Sequence, residues 1–214
     1  LLAPETSRLV LVVISTAFER AAALFEEVHA TDPRLIDRGG VRRPWSIVYH
    51  ERLAHWVDAL EPRASEPLRL AARAQHLGRW KLPRGEFPAG LSGYKRWRSA
   101  AARRHADDAE AILRASGYGD DVVERVRALL VKKGLKLDTE VQLLEDGVCL
   151  SFLELELADF ARKHEDAKVI DILRKTWAKM SSRGHAAALA LAATLPEGAR
   201  VLVERAVADP SDSR

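Results

Sequence analysis

The sequence predicts an all-α protein, a single compact helical domain of about eight or nine helices. Three observations predict it. Apolar residues recur at helical spacing through most of the chain, no short window alternates as a half-buried strand, and the linkers between periodic segments are short and of ordinary complexity. A chain of 214 residues, 47% apolar and 30% charged, is long enough to bury one sizeable core, and it is excluded from the disordered, collagen-like and coiled-coil classes.

The elements follow in order. A first helix covers about Thr16 to Val28, with Phe18, Ala22, Phe25 and Val28 on one face, and breaks at Thr31-Asp32-Pro33. Gly39-Gly40 and Pro44 mark a loop. Trp45 to Leu60 is the second helix, stopped by Pro62, and Glu66 to Trp80 is the third, with Pro67 in its first turn. Leu82 to Gly93 holds two prolines and three glycines and reads as a loop. From Ser92, an N-cap candidate, a long helix runs to about Ser116 and ends at Gly117. Asp120 starts a helix that ends at Gly134, and Asp138 or Thr139 caps another running to about His164. Asp166 to Met180, Ser182 to Leu195 and Pro196 to Ala208 supply three more, and the tail from Asp209 is polar.

The apolar run Leu9 to Ile14 is far shorter than the roughly 18 to 20 residues that span a bilayer. Neither a membrane span nor a secretory signal is expected, and the single cysteine, Cys149, provides neither a disulfide framework nor a Cys-based zinc site. A reducing, cytoplasmic location fits that usage.

The net charge is only +3, but it is segregated. Between Arg69 and Arg104 stand ten basic residues against one acidic residue, Glu86, leaving the remainder of the chain negative. Arg79-Trp80-Lys81-Leu82-Pro83-Arg84 and Tyr94-Lys95-Arg96-Trp97-Arg98 interleave cations with large rings on either side of the loop, and Lys175, Trp177 and Lys179 repeat that composition on a later helix. Guanidinium forks match phosphate oxygens, and aromatic rings stack on bases or on guanidinium planes. One reading is an anionic pocket with Arg79, Arg84, Tyr94, Trp97, Arg98 and Lys179 as its binding residues. The other is that the arginines pair with the acidic surplus and the tryptophans are core. A pocket accounts for the mixture better than a duplex-coating stripe does, which makes nucleic acid, as a single-stranded end, the second choice of partner.

Candidate chemistry lies on four helices. In Val141 to Leu153 apolar residues go almost all the way round the helix, the pattern of a central element, and Glu145 and Asp146 sit inside that run. A buried carboxylate needs a cation, a metal or several donors, so a buried ion pair or helix cap competes with metal ligation or acid–base work. Gly147 implies that something approaches the backbone there. Gln75 and His76 end a helix of small residues, with Gly78 turning it into the basic loop. His105 lies on an inward stripe with Trp97, Ala101, Ala109 and Ile112, either as a satisfied core residue or as a ligand. His50 and Glu51 are neighbours, so only one of them can reach the same centre.

The segment Ala74-Gln75-His76-Leu77-Gly78-Arg79 resembles the (A/L)-L-H-D-I-G-K element of the HD-domain superfamily, all-helical and mostly metal-dependent phosphohydrolases. The upstream helix, His105 before Asp107-Asp108-Ala109-Glu110-Ala111-Ile112-Leu113, and Leu143-Leu144-Glu145-Asp146-Gly147 stand in that family's order over about residues 45–160, with helices 165–208 packed on that core. Aligning the glycines puts Gln75 in place of the defining histidine and His76 in place of the aspartate, so the metal-bridging His-Asp pair is absent. The resemblance then implies one divalent transition metal (Mn, Fe, Co, Ni or Zn) held by His76 and Asp146 with one of His50, Glu51 or His105, and Gln75 beside them. Glu145, His105 and Lys175 are the candidate acid–base residues.

Over nearly the whole chain a second resemblance is closer. Arg73-Ala74-Gln75-His76, Arg79-Trp80, Tyr94 to Arg98, Gln142 to Asp146, Cys149 to Glu154 and Lys175 to Ser181 look like the family labelled domain of unknown function 4202. The expectation from the HD resemblance is a metal-dependent hydrolase acting on a phosphorylated, nucleotide-like anionic small molecule. A metal-dependent oxygenase is the second enzymatic option. The alternative of a different class is a metal-free binding module for an anionic ligand or an RNA end.

Overall fold

A computed structural model describes residues 15–208, so both the Leu9 to Ile14 run and the tail from Asp209 lie outside the described residues. Helix α1 (Ala17–Ala30) opens with a capping box in which Thr16 accepts the Glu19 N–H and Glu19 accepts the Thr16 N–H. The loop expected at Gly39-Gly40 is the turn of a small hairpin, β1 (Leu35–Arg38) paired antiparallel with β2 (Val41–Pro44), Leu35 opposite Pro44. Both turn glycines take positive φ, +65° and +82°, which closes a two-residue turn. Alternation missed these strands because four residues are too few to show a period of two, and both are largely exposed.

Helix α2 (Trp45–Leu60) occupies the residues its pattern predicts. Helix α3 (Glu66–Ala74) is shorter than expected. Its chain turns through Gln75 to Leu77, Gly78 adopts a left-handed φ of 63°, and a 3-10 turn covers Arg79–Lys81. A second 3-10 turn, Arg84–Glu86, leads to α4 (Gly90–Ala115), which starts two residues before Ser92, with Ala89 at its N-cap. The remaining helices are α5 (Asp120–Leu130), α6 (Thr139–Leu155), α7 (Leu157–Ala161), α8 (Asp166–Trp177), α9 (Ser182–Ala192) and α10 (Glu197–Val207). The described residues therefore form ten α-helices, more than expected, because one apolar run breaks at Glu156 into α6 and α7.

Two apolar cores meet along α6. Val141 and Leu144, in its first half, join Phe25, Tyr49, Leu53, Leu68, Leu113 and Leu129 from α1 to α5. Cys149, Leu150 and Leu153, in its second half, join Val169, Leu173, Leu191 and Val203 from α8 to α10. This is what the all-round apolar pattern of α6 requires, and the two cores make one compact domain. Helix α2 crosses α6 at Gly147, where an added Cβ would lie 2.9 Å from Leu53 Cδ1 and 3.4 Å from Val57 Cγ2. The group that approaches that backbone is thus a neighbouring helix. No helix among the described residues is long and apolar enough to cross a membrane.

Candidate functional site

Where α3 ends, α4 passes and the turn after α5 closes over them, a cleft of about 610 Å3 opens to solvent. Gln75, His76 and His105 form its floor, Ser99, Ala101, Ala102, Leu130, Val131 and Leu135 line its walls, and Arg79, Lys95, Arg98, Arg103 and Lys132 supply its charge. No carboxylate among the described residues lines it.

The floor is held in place by backbone hydrogen bonds. His105 Nδ1 donates to the Leu77 carbonyl at 2.7 Å. Burial lowers the His105 pKa to about 4, so the ring is neutral and its Nε2 carries a lone pair. His76 is likewise held well below the usual histidine range, first by burial and then by the Arg79 charge. Its backbone N–H donates to His50 Nε2 at 3.3 Å, and His50 Nδ1 donates to the Ser46 carbonyl at 2.6 Å. His50 thereby uses both nitrogens inside the fold. Behind it His29 stacks on His50 with ring centroids 3.7 Å apart, donates to the Arg73 carbonyl and accepts from the Ser46 hydroxyl. Tyr49 stacks on the other side, against His76, at 5.1 Å.

Three floor atoms are buried without a hydrogen-bond partner: Gln75 Oε1, His76 Nδ1 and His105 Nε2. Buried polar atoms are nearly always satisfied, and unsatisfied ones that cluster on one cleft floor mark a place for a ligand or water.

Around the floor, Arg79 lies over the Trp97 ring at 4.6 Å, and Trp97 Nε1 donates to the Leu82 carbonyl at 3.0 Å. Trp97 is therefore a buried platform for an arginine; it does not line the cleft. Burial pulls the Arg79 pKa down from its ordinary value, with partial relief from Tyr49 and Glu156. Among the described residues, none of Arg79, Lys95, Arg98 and Arg103 pairs with a carboxylate, whereas Lys132 is bonded to Glu145. Three other arginines of the basic segment make contacts within the fold. Arg69 pairs with Asp58, Arg104 faces Asp108, and Arg84 donates to the carbonyls of Phe87 and Pro88, tying down the loop before α4.

Of the candidate binding residues, Arg79 and Arg98 line the cleft. Arg84 supports the loop, Tyr94 and Trp97 stand beside their arginines, and Lys179 lies elsewhere, its carbonyl accepting from Gln142. Of the candidate acid–base residues, His105 is on the floor. Glu145 is the buried half of the Lys132 pair, and Lys175 is exposed and pairs with Asp171 one turn back on α8. Lys95, Arg103 and Lys132 were missed. Lys95, Ser99 and Arg103 recur every four residues on α4, one turn from Arg98 and His105, a signal the sequence did contain. Lys132 sits at a left-handed φ of 58° in a turn, and no local pattern marks it.

The proposed metal ligands converge only in part. Gln75, His76 and His105 are together in the cleft. His50 turns both nitrogens inward, and Glu51 pairs with Arg43 at a separate surface cleft. Asp146 anchors the N-cap of α9, Ser181, whose hydroxyl oxygen accepts the Gly184 N–H: Asp146 accepts the Ser181 N–H at 2.8 Å, the Ser181 hydroxyl and the Gln142 side-chain amide. No group of three His, Cys, Asp or Glu side chains among the described residues is arranged to hold a metal ion. The two imidazoles and the carboxamide supply donor atoms, but no carboxylate among the described residues joins them and five Lys or Arg side chains line the same cleft, which disfavours a divalent cation there.

A family model described as Domain of unknown function (DUF4202) matches residues 19–203. The chain belongs to that family. The match begins in α1 and ends in α10, so in the DUF4202 chain the whole cleft and nearly all of both cores fall within it. No curated protein and no solved structure matches the chain.

Proposed function

We propose that the cleft binds a phosphorylated small molecule without a metal. The observation that carries this reading is the convergence of Arg79, Lys95, Arg98 and Arg103 on one concave site, none of them paired with a carboxylate among the described residues. Cations left unpaired on a cleft wall raise the local concentration of anions and bind them with charge-assisted hydrogen bonds. Their arrangement around a cleft, and the use of Arg69, Arg84 and Arg104 in internal contacts, favour a small anion over a nucleic acid lying along a basic stripe.

The His105 Nε2 lone pair favours phosphoester hydrolysis as a second reading. Its Nδ1–H is fixed on Leu77, so a neutral Nε2 beside the cations would take a proton from the attacking water as the P–O ester bond breaks and return it to the departing alkoxide, which leaves as the alcohol, while the arginines stabilise charge on the phosphoryl oxygens.

The test is titration with inorganic phosphate at low ionic strength by calorimetry or NMR. Binding that weakens at least tenfold in Arg98→Ala and falls with added salt is the expected result. Unchanged binding in that variant, or preferential binding of single-stranded RNA over phosphate, would overturn the reading. For hydrolysis, phosphate release from a phosphomonoester that disappears in His105→Ala is expected, and its absence under metal-free conditions leaves the site a binding module.

A further inference from the structure

Resting on the reading of the cleft as a phosphate site, we infer that its ligand is a polyhydroxylated phosphomonoester, such as a sugar phosphate or polyol phosphate, with the hydroxyl-bearing end on the floor and the phosphate among the rim cations. The cleft has two chemically opposite parts. Arg79, Lys95, Arg98, Arg103 and Lys132 can only donate hydrogen bonds. The floor offers acceptors: His105 Nε2, whose ring proton is fixed on Nδ1 by the Leu77 carbonyl, and Gln75 Oε1, with His76 Nδ1 beside them. Phosphate oxygens satisfy the rim and cannot satisfy the floor. The floor requires donors.

The donor type is narrowed by its surroundings. An ammonium group is disfavoured next to five cations and two imidazoles held neutral. Among the described residues no Trp, Tyr or Phe ring lines the cleft, whose walls are serine, alanine and aliphatic side chains, so a nucleobase would have only the floor imidazoles and the guanidinium planes to stack on. Neutral hydroxyl groups fit both restrictions. Gln75 and His105 are 4% and 3% exposed, so they lie deeper than the rim cations and set the order of entry. The nucleotide-like substrate expected from the sequence is thereby replaced by a smaller, hydroxylated one.

Three phosphomonoesters of nearly equal charge, with inorganic phosphate as the reference anion, test this on the wild-type chain. Inorganic phosphate, ethyl phosphate, glycerol 3-phosphate and ribose 5-phosphate are titrated at pH 7.5 and low salt. Two hydroxyls meeting two otherwise unsatisfied acceptors are expected to make ribose 5-phosphate bind about tenfold or more tightly than ethyl phosphate. In Gln75→Leu that preference is expected to fall to about threefold. Equal affinities across the series, with phosphate still bound, overturn the hydroxyl inference and leave the phosphate site standing. No binding of any member, inorganic phosphate included, overturns both. Tighter binding of adenosine 5′-phosphate than of ribose 5-phosphate also overturns the inference, because it means that the base contributes more affinity than the hydroxyl groups.

Discussion

Asp146, buried at the centre of α6, accepts the backbone N–H of Ser181 at 2.8 Å and so fixes the start of α9 from 35 residues away. Gly184 makes room for this contact, since a Cβ there would come within 2.7 Å of the Asp146 carboxylate. Asp146→Ala leaves the Ser181 N–H and the Gln142 amide without a charged acceptor in a buried place, and a loss of about 2–4 kcal/mol is expected by urea unfolding. Phosphate affinity of the folded variant should stay within twofold of wild type. A variant of unchanged stability with lost ligand binding would restore Asp146 to the functional site.

Lys132 and Glu145 form a pair with the carboxylate side chain buried and the ammonium reaching the cleft. Lys132→Met strands the carboxylate, and a cost of about 2–4 kcal/mol is expected, reduced from the fully buried case because Lys132 is partly exposed. Lys132→Met combined with Glu145→Leu should recover most of that loss. Chemical denaturation of the two variants side by side decides it; a double variant no better than the single would mean that Glu145 has another partner.

The neutral histidines make stability depend on acid. His50 and His76 are held well below the usual 6.5, His29 is lowered, and His105 is lowered to about 4, in each case chiefly by burial. Below pH 6.5 the unfolded chain takes up protons at these positions and the folded chain does not, so stability falls as pH falls. At pH 5.5 unfolding should therefore be coupled to net proton uptake by this group. For His105 the loss levels off near pH 4, where the folded ring also protonates. Denaturant midpoints measured from pH 7.5 to 5 check the slope, and a flat profile would contradict neutral burial.

Glu51 and Lys175 lie away from the cleft in exposed ion pairs with Arg43 and Asp171. Alanine at either position is expected to change stability by less than about 0.5–1 kcal/mol and phosphate affinity not at all. Loss of ligand binding in Glu51→Ala would revive the metal set drawn from the sequence.

At the crossing of α2 and α6, Gly147→Ala forces Leu53 Cδ1 away from 2.9 Å and should cost about 1–3 kcal/mol, read as a lowered denaturation midpoint. The variant is also expected to keep the cleft's ligand preference, because Gly147 does not line it.

The sequence by itself determined the helical class, the bounds of α2, the central position of α6 and the concentration of positive charge between Arg69 and Arg104. All of these follow from local spacing and composition, which the chain carries at every position. It also singled out Gln75, His76, His105, Arg79 and Arg98, which the fold brings to one cleft. The short hairpin escaped because a four-residue strand shows no usable period, and Lys132 escaped because nothing in a turn signals its long-range partner.

Only the tertiary structure decided what each buried charge faces. Neighbours on a helix point about 100° apart, so Glu145 and Asp146, adjacent in sequence, meet different elements: Lys132 after α5 and Ser181 before α9. The same holds for the cations: Arg69 and Arg104 face carboxylates and Arg84 faces carbonyls, whereas among the described residues Arg79, Lys95, Arg98 and Arg103 pair with no carboxylate. Helical periodicity fixes which face a side chain occupies. The rotation and approach of the neighbouring helix, set by packing at places such as Gly147, fix what that face meets, and here they turned an expected metal centre into a helix cap, a buried ion pair and a cationic cleft over neutral histidines.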